Sequence, residues 1–76
     1  MLEPAQVRMA RAGLKISVRE LAVISGVADS TILRFEAGRG AILTSNMRRI
    51  QDALEHAGVT FLPADANGGP GVRLRS

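Results

Sequence analysis

The stretch SVRELAVISGVADSTILRFEAG, Ser17 to Gly38, sets two short apolar-striped segments on either side of a glycine, and this feature restricts the fold most. Ser17 is a strong helix N-cap, and Glu20 three residues later completes the pattern of a capping box, in which each side chain satisfies a backbone N–H near the other. Ile16 before the cap and Leu21 after it have the spacing of a hydrophobic staple. Leu21 and Ala22 are expected to face inward, and Gly26 ends the helix because glycine enters the left-handed conformation cheaply. A further helix is predicted from Asp29 or Ser30 to Ala37, with Gly38 as its stop and Val27, Ile32 and Phe35 as its buried stripe. Two helices this short, joined through Gly26-Val27-Ala28, bury their stripes only by packing across each other, with Val27 filling the space between them.

The flanking sequence supplies what those helices pack against. A first helix is predicted from Pro4, whose missing N–H costs nothing at the first helical position. Val7, Ala10 and Leu14 give it one apolar face, Gly13 weakens its end, and Lys15 lies where a cation meets the helix dipole favourably. After a connector from Gly38 to Leu43, another helix opens at Thr44 or Ser45. It carries Met47, Ile50, Leu54 and Ala57 on one face until Gly58 ends it. Beyond it, VTFLP is β-prone, ADANGG is turn-forming, and GVRLR alternates Val72 and Leu74 with arginines, which reads as a two-stranded hairpin. The expected fold is therefore mostly α, with four to five short helices and a short C-terminal β-hairpin. Residues 1–58 form the helical domain and 59–76 the hairpin or tail. An isolated hairpin is marginal, so this one must pack on the helices or pair with another chain.

Composition narrows the function. The 76 residues suit one domain with one core, and without cysteine neither disulfides nor thiolate-bound zinc can brace it. No run is long and apolar enough for a signal peptide or a membrane span, so a cytoplasmic protein with no membrane partner is expected. Nine arginines and one lysine face seven carboxylates, and the planar guanidinium fork suits phosphate and guanine. A single histidine, His56, stands near a helix end, so a metal site of the usual spacing is not expected. The NGGPG segment lacks the lysine and hydroxyl of a phosphate-binding loop. These features point away from an enzyme and from any cofactor.

Two short helices meeting through a glycine match the helix-turn-helix, whose second helix enters the major groove while the first crosses the backbone. The sequence here resembles the XRE/Cro-type helix-turn-helix family of small bacterial and phage transcriptional regulators. The resemblance rests on Glu20-Leu21-Ala22, Gly26-Val27, Ser30-Thr31-Ile32, Arg34-Phe35-Glu36 and Gly38, within residues 5–58. It implies a lambda-repressor-like domain that binds operator DNA, often as a homodimer. For so small a protein repression by blocking polymerase is the simplest mechanism, with activation from an adjacent site left open. It also implies a structural ion pair between Arg11 in the first helix and Glu36 near the end of the recognition helix. A partly buried pair there would lock the two helices together.

The same resemblance places base contacts on the recognition helix, about residues 29–37, at Asp29, Ser30 and Arg34. Arg34 has the chemistry for a bidentate pair with guanine, whereas Leu33 would touch a thymine methyl. Asp29 could accept from cytosine or, because Ala28 carries no oxygen, cap its own helix. Where the family commonly has glutamine at the start of the second helix, this chain has Val18, which leaves phosphate contact there to Ser17 and Arg19. Thr31, Arg39, Ser45, Asn46 and Arg48, with Arg49 beside it, are the remaining expected phosphate partners. One such domain reads few base pairs, so two copies on half-sites about 34 Å apart are expected. Phe61, Val72 and Leu74 are the expected dimerisation residues. The alternative is an antitoxin-like or adaptor module whose main partner is another protein, met through Ile42, Leu43, Phe61 and Leu62. RNA polymerase or a regulatory protein is a further possible partner.

Overall fold

The computed structural model describes residues 2–75. Pro4 occupies the first turn of α1, Pro4–Leu14. The other elements are α2 (Val18–Ser25), α3 (Asp29–Glu36), α4 (Thr44–Ala57), β1 (Val59–Leu62) and β2 (Gly71–Leu74). This is the expected mostly helical chain with a C-terminal hairpin. Among the described residues no helix is long and apolar enough to cross a membrane.

Each element contributes to one core. Val7 comes from α1, Leu21 from α2, Ile32 from α3, Ile50 and Leu54 from α4, and Val59 from β1, and none of these retains accessible surface. Val27 in the turn, Ala10, Phe35, Met47 and Leu2 complete the cluster. Full burial of such an aliphatic side chain contributes about 1.5–3 kcal/mol. Ala57 departs from the expected inward face and is exposed. It follows the last buried turn of α4, where the chain already bends at Gly58 into β1.

The helix ends follow the expected chemistry at α2, at the Pro4 start of α1 and at the Gly58 end of α4, and depart from it at the start of α3. The Ser17 hydroxyl accepts from the Glu20 N–H at 3.0 Å, and a Glu20 carboxylate oxygen accepts from the Ser17 N–H at 2.9 Å. Gly26 closes the helix at φ 73°, donating its N–H to the Ala22 carbonyl at 2.9 Å. At α3 the N-cap is Ala28 without a side-chain cap, so Asp29 lies inside the helix rather than capping it. The helix ends at Glu36, and Gly38 then turns the chain at φ 71°. α4 starts at Thr44, as expected, behind Leu43, which offers no capping oxygen. At the end of α1 the left-handed residue is Lys15, at φ 59°, and Gly13 sits within the helix.

Gly13, the penultimate residue of α1, has a task beyond weakening the helix end. A Cβ at this position would lie 3.0 Å from the Leu74 Cδ2, so the missing side chain lets the end of β2 approach α1. The hairpin is antiparallel, pairing Val59 with Leu74, Thr60 with Arg73, Phe61 with Val72 and Leu62 with Gly71. Phe61 and Val72 are half-buried against the core of their own chain. Gln6 fastens the other end. Buried on α1, it donates from Nε2 to the Leu62 carbonyl at 3.2 Å and the Gly71 carbonyl at 3.0 Å, across both strands. Its Oε1 accepts the Glu3 N–H at 2.8 Å, which satisfies the side chain completely.

Candidate nucleic-acid interface

α3 divides its residues between two tasks. Ile32, Phe35 and Glu36 turn inward and are buried, whereas Asp29, Ser30, Leu33 and Arg34 are exposed. These exposed positions follow the three-and-four spacing of one helix face. Leu33 keeps 55% of its surface accessible, which leaves an apolar side chain beside Arg34 without a place in the core. Thr31 is half-buried at the edge of this face.

The expected bond between α1 and α3 is present and is bidentate. Arg11 Nε donates to Glu36 Oε2 at 2.7 Å, and Arg11 Nη2 donates to Glu36 Oε1 at 2.7 Å. Arg11 Nη1 also donates to the Ile16 carbonyl at 3.3 Å, so one guanidinium joins α1, the approach to α2 and the end of α3. The hydrogen bond to Glu36 raises the Arg11 pKa above its ordinary value, burial opposes this, and the carboxylate's charge adds to the rise. Among the described residues this is the one ion pair, which leaves Arg34 outside any such pairing.

Arg8 was not among the residues singled out from the sequence. It donates from Nη1 to the backbone carbonyl of Glu36, so two arginines of α1 meet the same residue of α3. The available signal was the spacing: Arg8 and Arg11 are three apart and share a helix face. Gln6 was missed as well, and no local pattern marks it, because its strand partners lie 56 and 65 residues away.

The expected phosphate-contacting residues fall on different elements. Ser17 opens α2 with its N–H taken by Glu20, and its hydroxyl oxygen accepts within the same box. Its hydroxyl proton remains as the group able to reach an anion. Arg19 is exposed in the first turn of α2, and Val18 is half-buried against the core. Arg39 is exposed after α3 and donates its backbone N–H to the Arg34 carbonyl at 3.0 Å. Ser45, Arg48 and Arg49 are exposed on α4, with Asn46 half-buried. Of the apolar residues expected to meet a partner protein, Leu43 is exposed at 69%, whereas Ile42 and Phe61 pack partly buried against the core and Leu62 is half-buried.

A short capped helix, a glycine turn and a second short helix with a free polar face define a helix-turn-helix domain. Residues 7–55 match the family model HTH_3, described as helix-turn-helix, and the chain belongs to this XRE/Cro-type family of DNA-binding regulators. The match begins in α1, ends in α4 and leaves the hairpin outside. No curated protein matches the chain.

Proposed function

We propose that the protein is a sequence-specific transcriptional regulator whose α3 enters the major groove, with two copies occupying an operator of two half-sites. The observation that carries this reading is the division of α3: the residues that hold it in the fold are not those on its exposed face. Arg34 reads guanine through a bidentate pair worth about 1–3 kcal/mol of discrimination. Leu33 meets a thymine methyl, and Asp29 and Ser30 meet neighbouring base edges. Ser17, Arg19, Thr31, Arg39, Ser45, Asn46 and Arg48 contact phosphates, which position the domain and make binding salt-dependent without specifying sequence. Phe61, Val72 and Leu74 supply the dimer seam, using the surface that each leaves uncovered on the hairpin. The protein acts in the cytoplasm, and blocking RNA polymerase is the simplest mode of regulation for a domain of this size.

The experiment is in-vitro selection of duplexes bound by the purified protein, with Arg34→Ala run in parallel. The expected outcome is a paired motif with half-sites about one helical turn apart. The substitution should blur one position in each half. Salt-sensitive retention of DNA with no enriched sequence overturns the reading.

A second reading has its own observation. Val23 at 77% and Ile24 at 53% exposure place two large apolar side chains on the outside of α2, where neither serves the core. This favours contact with another protein alongside DNA binding.

A further inference from the structure

We propose that Arg8 is a positioning residue for α3, holding the helix at the angle from which its exposed face reads DNA. The proposal rests on the groove-reading function above but concerns a residue with no place among its DNA contacts.

The last carbonyls of any helix lack intrahelical partners, and α3 ends at Glu36. Arg8 satisfies the Glu36 carbonyl from α1, while Arg11 grips both oxygens of the Glu36 carboxylate. The two grips do different work. A carboxylate held at its tip still permits the backbone to roll, because rotatable bonds lie between tip and helix. A carbonyl held directly restrains the backbone itself. Together they fix one residue of α3 at two points separated by its side chain. A guanidinium at a helix C-terminus also complements the partial negative charge there. Side chains stand about 5–6 Å from a helix axis, so a roll of about 10° moves them about 1 Å. Leu33 and Arg34 lie two and three residues before the clamped Glu36, so such a roll displaces them directly.

Arg8 is exposed, so removing it leaves the core intact. The test compares wild type, Arg8→Ala and Arg8→Lys on the selected duplex and on a random duplex over a salt series. Arg8→Ala should weaken binding to the selected duplex about five- to ten-fold, the scale of losing one ordinary intramolecular hydrogen bond. Binding to the random duplex and the slope against salt should stay as in wild type, because no phosphate contact is lost. Arg8→Lys should recover most of the difference, since an ammonium also donates to a carbonyl.

A uniform loss on both duplexes, with the salt slope reduced by about one, would make Arg8 a phosphate contact and overturn the proposal. So would an unchanged ratio of selected to random binding. Amide exchange supplies a readout that needs no DNA. Arg8→Ala should speed exchange at Ala37, Gly38 and Arg39, whose N–H groups bond back into the last turn of α3, and leave α4 unchanged. Unaltered exchange at these amides overturns the clamp even if the protein selects no sequence. A wild type without selected sites sinks the groove reading alone, and the exchange result then decides Arg8.

Discussion

At the scale of single residues, Glu36 carries the heaviest demand, because its carboxylate is 6% exposed and lies against Arg11 at 21%. Removing the cation strands a buried charge, which typically costs about 3–5 kcal/mol. Arg11→Met should therefore lower the unfolding free energy by about 3 kcal/mol in urea titration. Adding Glu36→Leu should recover most of that loss, since an apolar pair of similar volume removes the uncompensated charge. The pH dependence has a definite sign. A folded pKa raised above the unfolded value gives stability that is complete below the unfolded value and disappears only above it. For Arg11 that interval lies in strong alkali, so the coupling between Arg11 and Glu36 in a double-mutant cycle should be the same at about pH 7 and about pH 10. Exposed Arg34 has no comparable structural duty, which is why Arg34→Ala tests recognition with little effect on folding.

At the scale of elements, two glycines should respond in opposite directions. Gly26 is left-handed at φ 73° with nothing within 4 Å of an added Cβ, so Gly26→Ala meets backbone strain alone and should cost about 1–2 kcal/mol. Gly13 lies in the last turn of α1 in helical conformation, where alanine gains up to about 0.5–1 kcal/mol of helix propensity. Its new Cβ would press on the end of Leu74, a 44% exposed side chain at the close of β2 that can shift by a few tenths of an ångström. For a domain of this size Gly13→Ala should raise Tm by about 2–8 °C, and Gly26→Ala should lower it by about 4 °C or more. The contrast also explains what the sequence revealed. The capping box of α2 was legible because Ser17 and Glu20 are three residues apart and act only on each other's backbone. The place where α1 ends was legible too, but the contact of Gly13 was not, because it is made with a strand about sixty residues further along. Periodicity likewise placed Val7, Ile32, Ile50 and Leu54 in the core, yet extended the α4 stripe one turn too far, to exposed Ala57.

At the scale of the whole molecule, Gln6 joins the beginning of the chain to its last element. Gln6→Leu removes the donor to the Leu62 and Gly71 carbonyls, whose strand pairing remains, so the loss should be about 1 kcal/mol and local to the hairpin. Amide exchange should quicken across residues 59–62 and 71–74 and stay slow in α2 and α3; equal acceleration in all of them would show that the hairpin and the helices open as one unit. The exposed positions Asp29, Ser30 and Arg34 were expected from the family resemblance, with Leu33 projecting beside them, but Arg8 behind α3 and Gln6 behind the hairpin act through backbone carbonyls that carry no residue-specific signature. The order of synthesis gives the hairpin's location a temporal consequence. α1 is made first, yet the strand that covers it at Gly13 is made last. While a ribosome is still translating, α1 to α3 emerge before the hairpin, so the flank of α1 that later receives it is bare. A nascent chain paused before Gly71 would therefore leave that flank of α1 open to chaperones.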